Sequence, residues 1–250
     1  MASSFERHCH SNYELLYVVE GEGRYMVEGE ELPLGRGTLI IMHPYQYHWV
    51  SLRDDRPYER YVVNFSRSDL LPVAAALSLL SSPELRGRAY FSRLAYGDAV
   101  RSLLDSFAEL AETCGEGDES LMAESLHSTL TQSLLLLSRE AIDVGLTDDL
   151  DKLQLLTYIN RNISSELSLD GLSREFFISK YHLCRFFKRQ MGVTIFEYIS
   201  AKRYALAEGY LAQGLPATEV SERVGYRDYS TFYRAYTKRA GHPPARQRNK

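Results

Sequence analysis

The sequence is poor in cysteine and in long apolar runs. Its 250 residues include 3 cysteines and 1 tryptophan. Cys9, Cys114 and Cys184 stand far apart, so neither a disulfide framework nor a Cys-x-x-Cys zinc site is expected. Apolar runs such as Leu134–Leu137 are far shorter than the roughly 18–20 residues of a bilayer-spanning helix, and the first residues lack the apolar stretch of a signal peptide. We therefore expect no membrane partner and a protein of the reducing cytoplasm.

The net charge of −4 conceals a strong asymmetry along the chain. Residues 1–146 carry 12 basic and 22 acidic side chains, whereas residues 147–250 carry 17 basic and 11 acidic ones. A change of sign between two halves indicates two domains with different partners. The basic half is the candidate for binding a polyanion.

Short apolar runs separated by glycine-bearing turns occupy residues 12–65. This pattern predicts strands, and hence a small β-sandwich or barrel, at Leu15–Val19, Arg24–Val27, Thr38–Met42 and Tyr61–Phe65. From about residue 69 the periodicity becomes helical, with one helical face formed by Leu126, Leu130, Leu134 and Leu137. We call these four residues the leucine stripe. Such a stripe usually indicates a helix face that packs in the core, and a dimer contact is the alternative.

The basic half contains a weak internal repeat with a period of 49 residues, in which Leu183 recurs as Phe232 and Arg185 as Arg234. Each copy has the pattern of a helix–turn–helix unit. In the first copy Ser168 caps a short helix, and Ser179 caps a second one that ends near Met191. In the second copy Pro216 opens a short helix and Asp228 caps another, which stops at Gly241.

The second helix of each copy has an apolar face and a basic face. Such a division fits a helix with one face in the core and the other in a DNA major groove. Candidate contacts to base edges are Tyr181, His182, Cys184 and Arg185 on the first helix, and Tyr229, Ser230, Thr231 and Arg234 on the second. The remaining DNA-binding candidates, which favour phosphates, are Lys180, Lys188, Arg189, Lys238 and Arg239. A helix over 194–213 would span about 30 Å, close to the roughly 34 Å between successive major grooves.

These residues resemble the AraC/XylS family of bacterial transcription regulators. The matching positions are Ser179, Leu183, Arg185, Phe187, Gly192, Phe196, Tyr198 and Arg203, then Val220, Val224, Gly225, Tyr226, Asp228, Phe232, Arg234, Tyr236, Gly241 and Pro244. The chain departs from the family pattern at Ser173, Gly209, Thr237 and Gln247. The resemblance implies a multidomain α+β protein. Residues 1–146 would form a cupin-like β-barrel with helices that senses an effector and dimerises, and residues 147–250 an all-α DNA-binding domain with two helix–turn–helix motifs.

The N-terminal half resembles the cupin-type barrel of this family. His8-x-His10-x-x-x-Glu14 followed by Gly21 matches the first cupin motif, and Gly37 to His48 matches the second. In metal-bearing cupins the corresponding side chains converge on one divalent cation. We expect an organic effector, bound without a cofactor or metal by His8, His10, Glu14, Tyr25 and His48. The alternatives are a metal ion held by His8, His10, Glu14 and His48, and a polar barrel interior that binds nothing. Imidazole and carboxylate ligands suit Zn, Ni, Fe or Mn.

The resemblance implies a cytoplasmic, ligand-responsive transcription regulator rather than an enzyme, with activation and repression both open. The implied partners are double-stranded DNA, a small-molecule effector such as a sugar or another metabolite, and a second copy of the chain in a homodimer. RNA polymerase is a further candidate partner. The alternative is a cupin metalloenzyme, an oxygenase or isomerase, fused to a DNA-binding tail. An RNA-binding protein is disfavoured because the basic half shows no aromatic stacking sheet.

Overall fold

A computed structural model describes residues 7–66, 69, 88–92, 94–115, 117–139 and 150–244. In the N-terminal part of this range, seven strands are followed by two helices. The strands are β1 (Tyr13–Glu20), β2 (Gly23–Val27), β3 (Glu30–Leu34), β4 (Leu39–Met42), β5 (His48–Leu52), β6 (Glu59–Phe65) and β7 (Arg88–Phe91), and the helices are α1 (Gly97–Thr113) and α2 (Glu119–Leu137). All the strand pairs among them are antiparallel.

Two facing sheets form a flattened barrel. One sheet has the strand order β6-β1-β4-β7 and the other β3-β2-β5. Because side chains alternate along a strand, Leu16 and Val18 of β1 point between the sheets, whereas Leu15 and Tyr17 pack against α1 and α2. The central strands β1 and β4 of the four-stranded sheet are therefore buried on both faces. The leucine stripe of α2 belongs to this second layer, so its core placement is confirmed.

Three strands differ from the sequence expectation. The helical pattern predicted from residue 69 onward is wrong at β7, where Tyr90 and Phe91 pair with β4 and close the barrel. A four-residue strand is too short to show its alternation in sequence. Strand β3 was not predicted, and it accommodates Pro33 because it is an edge strand of its sheet. Strand β5 was also missed. The rest of the predicted helical region at 70–87 and the proposed boundary at 146–147 lie outside the described residues.

The C-terminal part of the described chain is helical. Its elements are α3 (Leu150–Arg161), α4 (Leu169–Glu175), α5 (Lys180–Met191), α6 (Ile195–Ala212), α7 (Ala217–Arg223) and α8 (Tyr229–Ala240). The predicted caps are present, since the side chains of Ser168, Ser179 and Asp228 accept hydrogen bonds from backbone N–H groups of α4, α5 and α8. Gly192 and Gly241 end α5 and α8 with φ of 68° and 75°, a left-handed conformation that glycine adopts without strain. Both helix–turn–helix units are confirmed.

Each unit has its own core, and α6 joins the two. Leu183 and Phe187 of α5 are buried in the first core, and Phe232 and Tyr236 of α8 in the second. Arg203 of α6 connects the units further. Its guanidinium donates to the carbonyl oxygens of residues 163 and 165 at 3.0 and 2.7 Å and lies 5.2 Å from the centre of the Tyr226 ring.

Candidate DNA-binding and effector sites

The side chains predicted to contact DNA all lie on exposed faces of α5 and α8. Exposed on α5 are Lys180, Tyr181, His182, Cys184, Arg185, Lys188 and Arg189, and on α8 Tyr229, Ser230, Thr231, Arg234, Lys238 and Arg239. Each helix is fixed from its other face by the core residues described above. The two helices thus have the burial pattern of recognition helices, with a buried apolar side and a basic side open to solvent.

Local contacts restrict some of these candidates. The Thr231 hydroxyl donates to the Asp228 carboxylate at 2.9 Å, so it serves the helix cap. The Lys180 ammonium lies 2.5 Å from the Asp170 carboxylate of α4. Lys188 and Arg189 occupy the last turn of α5, as Lys238 and Arg239 do in α8. Their contact with phosphate stays a prediction.

The sequence interpretation missed one aromatic residue beside α5. Phe177, in the turn between α4 and α5, is 94% exposed and has a φ of 54°. A positive φ is uncommon for a bulky residue, and here it holds a large ring in solvent next to the start of α5. The signal in the sequence was weak, because Phe176-Phe177 looks like the apolar end of a helix.

In the barrel, four side chains converge as the cupin resemblance implied. The ligand-type atoms of His8, His10, Glu14 and His48 all lie within 4.8 Å of one another. His8 and His48 come together because their backbones exchange two hydrogen bonds, at 3.1 and 2.9 Å. Glu14 and His48 are buried, whereas His8 and His10 are half-buried, so the cluster opens on their side. We call these four residues the histidine cluster.

Tyr25 stands behind the histidine cluster rather than in an open cavity. It is 1% exposed, its ring stacks on that of His48 with centroids 5.7 Å apart, and its hydroxyl donates to Glu14 Oε1 at 2.8 Å. Burial, followed by the Glu14 charge, raises the pKa of Tyr25 well above its ordinary value, so the hydroxyl stays a donor. Burial alone would raise the pKa of Glu14 too. His10, His48 and Tyr25 outweigh that effect and hold the pKa of Glu14 well below its usual range.

The strand segment that carries two members of the histidine cluster also contacts the DNA-binding domain. His8 and His10 face the cluster, while the intervening Cys9 is buried and donates from Sγ to the carbonyl oxygen of Ala201 on α6 at 3.4 Å. Burial raises the pKa of Cys9 to about 11, so it stays a thiol. Arg7 donates to the carbonyl oxygen of Gly192, at the end of α5, at 3.0 Å.

Strand β5 repeats this two-faced arrangement. His48 faces the histidine cluster, whereas its neighbours Tyr47 and Trp49 pack into the core of the first helix–turn–helix unit. The Tyr47 ring lies 5.5 Å from that of Tyr198 on α6. Both segments therefore have one face on the histidine cluster and the other on the DNA-binding domain.

A buried ion pair completes this interface. Glu28 lies at the β2–β3 turn, where residues 28 and 29 have φ of 48° and 74°. Its carboxylate accepts from the Tyr198 hydroxyl at 2.6 Å, from the Tyr47 N–H at 2.9 Å and from the Lys202 ammonium at 2.5 Å. Lys202 also donates to the carbonyl oxygen of Tyr45 at 2.5 Å. The side chains of Lys202 and Glu28 are only 7% and 16% exposed.

Sequence reasoning did not find this interface, although one signal was present. Gly209 lies inside α6, where glycine costs about 1 kcal/mol relative to alanine. A Cβ at this position would lie 3.0 Å from the Tyr45 hydroxyl oxygen. The glycine therefore allows the close approach of the barrel to α6.

Comparison with known proteins agrees with this architecture. A family model described as an AraC-like ligand binding domain matches residues 1–136, and one described as a helix-turn-helix domain matches residues 172–250. The chain is 24% identical over 237 residues to the "HTH-type transcriptional activator RhaS" of Escherichia coli O139:H28, covering 93% of this chain and 84% of RhaS. It is 30% identical over 168 residues to the "Probable transcriptional regulator LumQ" of Photobacterium leiognathi, covering 67% of this chain and 65% of LumQ.

Among solved structures, ToxT from Vibrio cholerae O395 is 13% identical, with a TM-score of 0.39. The matched region covers 94% of this chain and 88% of the ToxT chain. No helix within the described residues is long and apolar enough to cross a membrane. The family model of the ligand-binding domain matches more than half of the chain, and the helix–turn–helix model matches the region in which both predicted units are present. The chain therefore belongs to the AraC/XylS family of transcription regulators, with an AraC-like ligand-binding domain followed by a helix–turn–helix DNA-binding domain.

Proposed function

We propose that this protein regulates transcription in the cytoplasm by placing α5 and α8 in successive major grooves of double-stranded DNA. The observation that carries the proposal is the pair of capped helices with outward basic faces, joined by α6. Helix α6 has 18 residues and so spans about 27 Å, which is close to the roughly 34 Å between successive major grooves.

Arg185 and Arg234 are the side chains proposed to contact base edges, each from the exposed face of its helix. Arginine can donate two parallel hydrogen bonds to guanine, the commonest specific contact in the major groove. The basic residues in the last turns of α5 and α8 would bind phosphate and set the register of the protein on the duplex.

The histidine cluster is the proposed effector site. The interior between the two sheets is filled by apolar side chains such as Val27, Ile40 and Val50, so a ligand would enter from the half-exposed side of the cluster. An effector changes DNA binding only if it favours one conformation over another. The two-faced segments around Cys9 and β5 supply a physical connection, because a shift of the cluster histidines displaces residues that pack on α5 and α6.

The remaining partners follow from the family. We propose a homodimer, formed through the ligand-binding domain, and contact with RNA polymerase at the promoter. Because most of the leucine stripe is buried, the leucines of α2 available for a dimer contact include Leu121 and Leu135, which are exposed. The names of the relatives favour regulation over catalysis, and the proposal assigns no catalytic residue.

Binding to a DNA fragment selected from a random pool, measured by fluorescence anisotropy at several salt concentrations, tests this proposal. Because the basic faces would release counterions from the duplex, log K should fall linearly with log salt, and six phosphate contacts would give a slope of about −5. The matched control is Arg24→Gln, which removes an exposed arginine of the barrel and should leave the slope unchanged. Absent binding, or affinity independent of salt, would contradict the proposal.

A further inference from the structure

We propose that the histidine cluster binds a divalent transition-metal ion and that the effector site is built around this ion. Only the second part of this inference, that the ion belongs to an effector site, rests on the proposed function. The metal site itself is argued from the hydrogen bonds and distances of His8, His10, Glu14 and His48.

The backbone fixes the ring orientation of two of the histidines. His10 Nδ1 lies 2.9 Å from the carbonyl oxygen of Asn12, and His48 Nδ1 lies 2.8 Å from that of Gln46. A carbonyl oxygen only accepts hydrogen bonds, so each Nδ1 must carry the proton. The opposite nitrogen, Nε2, then presents a lone pair in the neutral ring. Metal-binding histidines are commonly held in this way by a backbone carbonyl on the far nitrogen.

The Nε2 atoms of His10 and His48 and the Glu14 carboxylate converge on one point, as the ligands of a single ion do. Glu14 Oε2 is 3.2 Å from His10 Nε2 and 3.8 Å from His48 Nε2. His48 Nε2 is buried without a hydrogen-bond partner among the described residues, which is costly for a polar atom. One cation placed between the three groups satisfies all of them.

The distances and ligand types select the class of cation. With bonds of about 2.1 Å, two ligand atoms on one ion are at most about 4.2 Å apart. The ligand atoms of the histidine cluster lie within 4.8 Å of one another, so small side-chain movements would bring them to bonding distance. Three imidazoles and one carboxylate suit Zn²⁺, Ni²⁺, Fe²⁺ or Mn²⁺. Mg²⁺ and Ca²⁺ prefer shells made of oxygen atoms alone.

The surroundings leave one side of the proposed ion accessible. Glu14 and His48 close the site from inside the barrel, and Tyr25 holds the Glu14 carboxylate from behind. His8 and His10 are half-buried, so solvent reaches the site on their side. Coordination positions on that side can take water or an effector that carries an oxygen donor.

The test is a titration of the full chain, without a histidine tag, with Co²⁺ and Zn²⁺ by calorimetry and by the visible absorption of Co²⁺. We expect one ion per chain. Tyr25→Phe removes the hydrogen bond to the Glu14 carboxylate and should weaken metal binding by about 10–100-fold. His48→Gln and Glu14→Gln each remove a metal ligand and should weaken it more. His43→Gln, a barrel histidine outside the cluster, is the matched control and should bind as the unaltered protein does. A thermal unfolding curve without metal verifies that each variant is folded.

Two outcomes would overturn the metal site. One is binding to the folded protein with a dissociation constant above about 1 mM, which corresponds to less than about 4 kcal/mol of binding free energy. The other is tight binding that both His48→Gln and Glu14→Gln leave unchanged, because the ion would then lie elsewhere. DNA binding is measured on the same samples. A protein that binds DNA but no metal refutes this inference alone, whereas one that binds metal but no DNA refutes the proposed function alone.

Discussion

The buried pair Glu28–Lys202 makes the interface between barrel and DNA-binding domain testable by one substitution. Glu28→Gln keeps the shape of the side chain and removes its charge. The Lys202 ammonium then keeps the Tyr45 carbonyl and the Tyr198 ring, 5.0 Å away, but has lost its counter-charge at 7% exposure. Removing one partner of a buried ion pair costs about 3–5 kcal/mol, because an uncompensated charge stays buried.

Hydrogen exchange of the α6 amides, followed by mass spectrometry, reports the free energy of opening this interface. Since 1.4 kcal/mol is a factor of ten, Glu28→Gln should speed the exchange by about 10²- to 10⁴-fold. Lys202→Met should have a smaller effect, because the Glu28 carboxylate keeps its bonds from the Tyr198 hydroxyl and the Tyr47 N–H. The double variant should recover much of the loss, since no unpaired charge remains.

The matched control lies on the same hairpin. Glu31→Gln removes an ion pair with Arg24 in which the two side chains are 65% and 50% exposed, and such surface pairs contribute about 1 kcal/mol or less. If Glu28→Gln changes α6 exchange by less than tenfold, or no more than Glu31→Gln does, the claim that this ion pair stabilises the interface is refuted.

Two further predictions concern the DNA-binding domain. Arg185→Ala and Arg234→Ala should each lower the free energy of DNA binding by about 1–3 kcal/mol, and only for DNA that carries the base contacted by that arginine in its own half-site. A uniform loss over all DNA sequences, measured by competition binding, would show that the arginine contacts phosphate instead. Gly192→Ala should lower the melting temperature more than Gly241→Ala. Both force alanine to a positive φ, but among the described residues only the Cβ at Gly192 would meet another group, a guanidinium nitrogen of Arg7 at 2.8 Å. Moving that guanidinium away would break its hydrogen bond to the Gly192 carbonyl oxygen, and equal shifts in calorimetry would refute this contact.

Local signals predicted the helical half of the chain well. Ser179 and Asp228 identify helix starts because a short polar side chain can bond the free N–H groups of the first turn. Gly192 and Gly241 identify helix ends for a similarly local reason. The histidine cluster was also predicted, but through a resemblance of motifs, since residues 40 apart in sequence meet only when two strand segments pair.

The strands and the interface were harder to predict because their causes are not local. Strand β7 exists because it completes a sheet whose other members precede residue 66, and its four residues carry no pattern of their own. Glu28 and Lys202 are separated by 174 positions, and each alone looks like an ordinary surface residue. Only Gly209, an unfavourable residue for a helix interior, indicated that another part of the chain approaches α6.

Hydroxyl-radical footprinting of the full chain on selected DNA tests the central claim most directly. If α5 and α8 enter successive major grooves, the protein should protect two segments on one face of the duplex, separated by about 10–10.5 base pairs. Inserting five base pairs between the segments turns one of them to the opposite face and should reduce the affinity to that of a single half-site. A single protected segment, or an affinity that the insertion leaves unchanged, would contradict the account.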